Sequence, residues 1–286
     1  MNNTEHVIII GAPRSGTNML RDILTSFNGV ETWPCDEINY IWRHGNVLYP
    51  SDEIPVSRAT DSVKRYIQKA FELASNRYQA GVLVEKTCAN SLRVPFVDSI
   101  VPDAKYIFIV RDGVDATGSA KKRWTSKIDM LYIWEKVKFV PILDLPIYAI
   151  RYLWARLFRL FSKDDRLAFW GPELDNMNDL LKERTLNEVC AIQWKHCVDS
   201  AESAFSNMSP DKVIKTRYED FVSNPEYELE RILNFVDIKV SANEVKKAVK
   251  SVSCKSLGRG RSSLGEKEVE HLESVIYDTL ERHNYT

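Results

Sequence analysis

Residues His6 to Met19, HVIIIGAPRSGTNM, gather the densest group of chemically competent side chains in the chain. Gly11 and Gly16 bracket a turn that carries Arg14 and Ser15, and Thr17 and Asn18 follow it. A turn of this kind between a strand and a helix collects unpaired backbone N–H groups and the positive end of a helix dipole at one point. Arg14 adds a fixed cation with a forked donor set. A phosphate fits there. The same residues also suit an ordinary βα turn in which Gly and Ser only permit close packing, and an isolated GxxxxG does not separate the two.

Against the nucleotide-binding P-loop, G-x-x-x-x-G-K-[ST], the turn departs in its last two positions. Thr17 and Asn18 follow Gly16, so the lysine that would reach β/γ-phosphates and the hydroxyl that would hold magnesium are displaced or absent. This disfavours a small-molecule kinase of the P-loop type. A non-catalytic nucleotide-binding protein on the same sheet stays as a rival.

Further candidates lie downstream. The stretch ETWPCDEIN brings two adjacent carboxylates, Asp36 and Glu37, and GVLVEKT ends a short apolar run in Glu85, Lys86 and Thr87. IFIVRDGVDATGS delivers Arg111 with Ser119 eight residues on, and KSLGRGRSSLG, from Lys255 to Gly265, carries Arg259 and Arg261. Each has a plain structural alternative. Arg111 can pair with Asp112 or Asp115, Ser119 can be a small packing residue, Lys86 can pair with Glu85 on the surface, Glu37 can be a solvated loop acid, and the late stretch can be a solvated linker. A ligand with two well-spaced phosphate groups would use the first loop for one and Arg111, Ser119 and the late stretch for the other.

The elements that must position these groups follow from periodicity. Val7 to Ile10 reads as a strand buried on both faces. Met19, Leu20, Ile23, Leu24 and Phe27 mark one face of a helix closed by Asn28-Gly29. Residues 30–39 read as loop and 41–57 as irregular, before a helix over about 59–74. Strands are expected at 82–84, 105–110 and 213–215, and helices at about 91–100 and 113–122. Thr185-x-x-Glu188 and Ser241-x-x-Glu244 are capping boxes, the first opening a core helix to about Phe205. Pro225 opens another helix, to Phe235, and a last one runs over about 266–282. KSLGRGRSSLG is expected to be mobile unless an anion orders it. Strand alternating with helix means an α/β fold with a central parallel sheet flanked by helices.

Between about 121 and 186 the pattern changes, with Trp124, Trp134, Trp154, Trp170 and many other aromatics crowded together. This is the expected insertion, in which Trp124, Trp134 and Trp170 can stack on a sugar ring or simply form a core. Residues 146–161 read as a helix with Arg151, Arg156 and Arg159 among apolar residues. Packing against the core is favoured for it, and peripheral contact with a membrane surface is the alternative.

The whole chain sets further bounds. Its 286 residues can form one domain with an insertion, and 39 basic against 40 acidic residues give no global attraction to nucleic acid or anionic membrane. The five cysteines lack CxxC spacing and read as reduced and structural. With no basic-then-apolar leader at the N-terminus and no run of roughly 18 apolar residues, a soluble cytoplasmic protein is expected.

On these residues the sequence resembles the sulfotransferases that use 3′-phosphoadenosine 5′-phosphosulfate (PAPS) as donor. GAPRSGTNMLR is similar to that family's 5′-phosphosulfate loop, in the form found in tyrosylprotein and bacterial carbohydrate sulfotransferases, and IFIVRDGVDATGS to its 3′-phosphate motif. VEKTCANSL resembles the EKTP-type segment of the glycan-modifying branch, with Cys88 where proline is common. RYEDFVSNP resembles the late YEDL-x-x-x-P segment, and KSLGRGRSSLG is only similar to the glycine- and basic-rich closing motif. The resemblance implies a P-loop-like three-layer fold in a single domain, 1–286; it supplies no motif for the aromatic-rich insertion at about 121–186, which is expected to bind substrate. It implies that Arg14, Ser15, Gly16, Thr17 and Asn18 hold the 5′-phosphosulfate, that Arg111 and Ser119 bind the 3′-phosphate, and that Arg259 and Arg261 close over it. Glu37 stands where the relatives place a glutamate base, with Asp36 and then His44 as rivals, and Lys86 and Arg14 would stabilise the transition state. The implied reaction is metal-free transfer of a sulfuryl group to an acceptor hydroxyl, leaving adenosine 3′,5′-bisphosphate (PAP). A carbohydrate or glycan is the expected acceptor, with tyrosyl, phenolic or lipid hydroxyls as alternatives.

Overall fold

In the computed structural model, which describes residues 4–124, 140–141, 144–150 and 170–286, the β-branched and aromatic runs form five strands. These are β1 (Glu5–Ile10), β2 (Val30–Thr32), β3 (Val82–Lys86), β4 (Lys105–Val110) and β5 (Val213–Arg217), in spatial order β2-β3-β1-β4-β5. Every pairing is parallel. Register sets the site: Ile9 lies opposite Lys86 on one side and Ile107 on the other, so the loops that leave β1, β3 and β4 share the carboxyl edge of the sheet.

Alternation along β1 sorts its side chains between two apolar layers. Ile8 and Ile10 join a core with α3 (Asp61–Tyr78), α4 (Val94–Ile100), α5 (Gly113–Trp124) and α7 (Leu186–Phe205). Val7 and Ile9 join another with α1 (Thr17–Leu24), α8 (Tyr218–Ser223), α9 (Pro225–Phe235) and α10 (Ala242–Ala248). All four side chains are fully buried, as a continuous apolar run in a central parallel strand requires. Helix, sheet and helix make the expected three-layer α/β fold.

Two sequence signals act as read. Thr185 and Glu188 close a reciprocal capping box at the start of α7, and Ser241 and Glu244 do the same for α10. Among the remaining elements are α2 (Asn39–Trp42), α6 (Met177–Glu183), α11 (Arg259–Ser262), α12 (Glu266–Val275) and α13 (Tyr277–Arg282). The last two replace the single expected helix, which breaks at Ile276.

Three expectations need correction. Residues 30–32, expected as loop, form β2, whose three residues are too few to show a period and which is held by pairing with β3. The late stretch, expected to be mobile, folds into a 3-10 turn at Cys254–Ser256 followed by α11. Trp124, a candidate sugar platform, is fully buried and meets Trp170 edge-on at 6.4 Å, so it is core. Trp134, Trp154 and most of the aromatic insertion lie outside the described residues. Of the expected 146–161 helix only the first part is described, and residues 145–150 are helical. Among the described residues no helix is long and apolar enough to cross a membrane.

Glu85, near the end of β3, is enclosed by the core, and burial raises its carboxyl from 4.5 to about 7, although the Thr87 hydroxyl pulls the other way. Because the folded value exceeds the unfolded one, its contribution is fully present below the unfolded value and is lost as pH rises through the folded one. In Glu85→Gln, which cannot ionise, thermal stability is therefore expected to improve relative to the native chain as pH climbs from 4.5 to about 7. Melting curves at a series of pH values check this, and parallel pH profiles would contradict it.

Candidate functional site

The first loop turns sharply because two of its residues adopt left-handed backbone, Arg14 at φ 70° and Gly16 at φ 91°. Such a conformation is uncommon for an arginine. At Gly16 it is also a matter of space, since a Cβ there would stand 2.4 Å from the ring of Tyr218. The chain then enters α1 with no side-chain cap. The N–H groups of Thr17, Asn18 and Met19 have no acceptor within the helix and point toward the carboxyl edge of the sheet. Ser15 is fully buried, and its hydroxyl has no hydrogen-bond partner. A buried hydroxyl left in that state is costly, and the helix terminus beside it favours an oxyanion as the missing acceptor.

Arg14 does not act alone. Its Nε donates to Ser119 Oγ at 2.9 Å, and Arg111 Nη1 donates to the Arg14 carbonyl at 3.0 Å. Two places that the sequence separates by nearly a hundred residues are thus joined in one cradle. Burial first, then the charges of Arg123 and Arg111, push the Arg14 guanidinium below its ordinary value, while Asp36 acts weakly in the other direction. The two neighbouring arginines thus act on Arg14 as like charges. Arg123 was not singled out from sequence; the available signal was its spacing, four residues after Ser119 and so on the same face of α5.

Arg111 is committed on several sides. Its Nε and Nη2 donate to Asp115 Oδ2 at 3.0 and 2.5 Å, Nη2 also reaches the Ser256 carbonyl at 3.0 Å, and the guanidinium lies 4.4 Å over the Tyr218 ring. Pairing with Asp115, the plain alternative for this arginine, is what occurs. Asp115 Oδ1 accepts from the N–H groups of Gly260 at 2.5 Å and Arg261 at 3.3 Å. Carboxylates thus hold the late segment. Arg261, expected to close over a phosphate, instead donates to Asp112 and Glu273, both at 2.5 Å, and Arg259 is exposed.

At the end of β3 a second group assembles. Lys86 is buried, and its Nζ lies 3.0 Å from Glu37 Oε1 and 3.4 Å from Asp36 Oδ1. It makes no surface pair with Glu85. Burial, the largest single influence, works against its charge, but Glu37, Cys88 and Asp36 together outweigh it and hold the ammonium above its usual value. Glu37 Oε1 also accepts from the Cys88 N–H at 3.3 Å. Asp36 Oδ1 is more heavily engaged, accepting from Asn18 Nδ2 at 2.8 Å and Arg21 Nη1 at 2.9 Å besides Lys86. Asn18, expected in the phosphate loop, spends its side-chain amide there. Three contacts converge on Asp36 Oδ1 and two on Glu37 Oε1. His44 is tied through Nδ1 to Asp144 at 2.7 Å and lies over Tyr66, ring centroids 3.7 Å apart. A cleft of about 410 Å³ opens just beyond it, with Asn46, Tyr49, Arg58 and Asp144 in its lining. One edge of the sheet thus offers a cationic cradle for an anionic group and, next to it, a carboxylate–lysine pair suited to taking a proton from a hydroxyl.

Residues 4–271 match the family model described as the sulfotransferase domain. Among solved structures, the chain is similar to the sulfotransferase domain from the curacin biosynthetic pathway, at 13% identity and a TM-score of 0.56, covering 100% of this chain and 99% of that one. Sulfotransferase STF9 from Mycobacterium avium aligns at 13% identity and a TM-score of 0.55, covering 98% and 76%. Mouse sulfotransferase SULT7A1, solved in complex with PAP, aligns at 15% identity and a TM-score of 0.53, covering 97% and 85%. At these identities the structural likeness speaks for the fold. A search of curated protein sequences gives no match.

The seating of α11 on α5 depends on Gly260, where a Cβ would stand 1.9 Å from the Asp115 carbonyl oxygen. Gly260→Ala is expected to cost about 1–3 kcal/mol in urea unfolding, the range for overpacking. Gly265→Ala, where a Cβ meets nothing within 4 Å, should stay within about 0.5 kcal/mol. Equal effects of the two would contradict this packing.

Proposed function

The chain belongs to the sulfotransferase domain family, and from that premise we propose that it moves a sulfuryl group from PAPS to a carbohydrate hydroxyl. The observation that carries the reading is the 3.0 Å contact between Lys86 and Glu37 beside the Arg14 cradle. It sets a proton acceptor and a buried cation next to a seat for an anion.

The donor is a substrate, and the residues fit it. The 5′-phosphosulfate is assigned to the loop Arg14–Asn18, where the Ser15 hydroxyl lacks an acceptor and the N-terminus of α1 is open. The 3′-phosphate is assigned to Arg111 and Ser119, with Arg123 adding charge. The PAP complex of the mouse relative supports the choice of donor. Arg261 contributes indirectly, by fastening α11 to Asp112.

Glu37 takes the proton as the acceptor oxygen attacks sulfur. The new O–S bond forms while the bond from sulfur to the bridging oxygen breaks, and PAP departs with the electron pair. Charge then grows on the bridging oxygen and the 5′-phosphate, where Arg14, Lys86 and the α1 N-terminus would stabilise it. A cradle that need not reorganise lowers the barrier most. The EKT segment of the glycan-modifying branch and the polar lining of the cleft near His44 support a sugar acceptor.

Adding PAP should raise the melting temperature, and Arg14→Ala should abolish the rise. With radiolabelled donor and a panel of glycans, phenols, tyrosyl peptides and lipids, transfer is expected to a glycan. Glu37→Ala should lose about 10²–10⁴-fold in rate, the usual worth of a general base, while keeping the PAP shift. Phosphorylation from ATP with magnesium, or transfer unaffected by Glu37→Ala, would contradict the assignment.

A further inference from the structure

Beneath Glu37 lies a set of buried polar groups that the transfer chemistry does not touch. The residue after it, Ile38, donates its backbone N–H to Thr87 Oγ1 at 3.2 Å. Thr87 is fully buried and donates in turn to Glu85 Oε1 at 2.5 Å. The other oxygen of Glu85 accepts from Asn90 Nδ2 at 3.0 Å, and Asn90 Oδ1 accepts from Arg93 Nε at 2.9 Å. Arg93, itself buried, reaches forward to Asn39 Oδ1 at 2.5 Å and to Asp52 Oδ1 at 3.2 Å. The two residues that follow Glu37 are therefore held from one buried network, Ile38 by its backbone and Asn39 by its side chain. Glu37 itself is held by Lys86 and the Cys88 N–H, the residues on either side of Thr87.

Buried charges and hydroxyls of this kind are a poor source of stability, since apolar residues of like volume commonly do as well or better. What they supply is a fixed geometry. A hydroxyl that accepts from one backbone N–H and donates to a buried carboxyl permits one placement of the Ile38 peptide, and the Glu37 side chain leaves the backbone one residue earlier.

We propose that Thr87 and Glu85 are positioning residues for the transfer reaction, acting through the Ile38 N–H to aim the Glu37 carboxylate at the acceptor hydroxyl. This rests on Glu37 being the base. The hydrogen bonds of Thr87 and Glu85 run to Ile38, to each other and to Asn90, and those that join Arg14 to Ser119 and Arg111 involve neither residue. Loss of the Thr87 hydroxyl is expected to act on the rate of the chemical step rather than on donor binding.

The test uses radiolabelled PAPS, an N-acetylglucosamine oligosaccharide as acceptor and the full chain. Thr87→Val removes the hydroxyl at nearly constant shape, and Thr87→Ser restores it. Thr87→Val is expected to lower kcat by about 10–100-fold, the scale of a slight misplacement of a reacting group. The KM for donor and the PAP-induced melting shift should stay unchanged, and Thr87→Ser should recover most of the rate. In a Glu37→Ala background Thr87→Val should lower the rate no further. A persistent PAP shift in Thr87→Val shows that the chain has folded. Unchanged kcat in Thr87→Val beside an impaired Glu37→Ala overturns the positioning role alone, as does a Thr87→Val effect that persists without Glu37 or falls on donor KM. A fully active Glu37→Ala overturns the base assignment, and the positioning role with it.

Discussion

One buried carboxylate, Asp115, holds the site together. Its Oδ2 takes the fork of Arg111, and its Oδ1 takes the N–H groups of Gly260 and Arg261. Arg111 in turn fixes the carbonyl of Arg14, and Arg14 fixes Ser119. Without a carboxylate at this point, Arg14 and Arg111 would face one another as like charges in a confined, poorly solvated space. With it, Arg111 is fixed by a fork to Asp115 and in turn fixes the Arg14 carbonyl, so the turn, α5 and α11 are tied through the same residue.

The geometry of the sheet explains why so few residues suffice. In a parallel sheet all strands deliver their carboxyl ends to one edge, and the order β2-β3-β1-β4-β5 places β1 between the two strands whose loops matter most. Lys86 leaves one side and Arg111 the other, with the Gly11–Gly16 turn between them. Glu37 comes from outside the sheet. It reaches the edge because Asp36, next to it, is gripped by Asn18, Arg21 and Lys86, so α1 and β3 together anchor the loop that carries it.

The sequence made the central strands and their loops legible for a physical reason. Long β-branched runs such as Val7–Ile10 and a strand as apolar as residues 105–110 have one stable place, the middle of a buried sheet. Capping boxes are local and complete in themselves, so Thr185 and Ser241 could be read directly. What escaped was whatever depends on a distant partner. β2 has three residues and exists only as a pairing with β3. Arg261 looked like a free cation because nothing near it in the chain shows that Asp112 and Glu273 will meet it. Trp124 was one aromatic among many that suited a sugar platform or a core equally, and only the packing of α5 shows it to be core. Arg123 escaped because only its spacing from Ser119 ties it to Arg14, and nothing in the chain shows that Arg14 will meet that face of α5.

The contact between α11 and Asp115 spans 145 residues of chain. During synthesis the Gly11–Gly16 turn leaves the ribosome early, and β1 can pair with β3 and β4 long before residues 256–261 exist. Contacts of such long sequence separation form late and slowly. A nascent or C-terminally shortened chain therefore carries the first loop with Arg111 lacking its Ser256 partner and Asp115 lacking the amides of α11. The part of the cluster that is made first is finished last, because the partners of Arg111 and Asp115 in residues 256–261 are among the later ones to be synthesised.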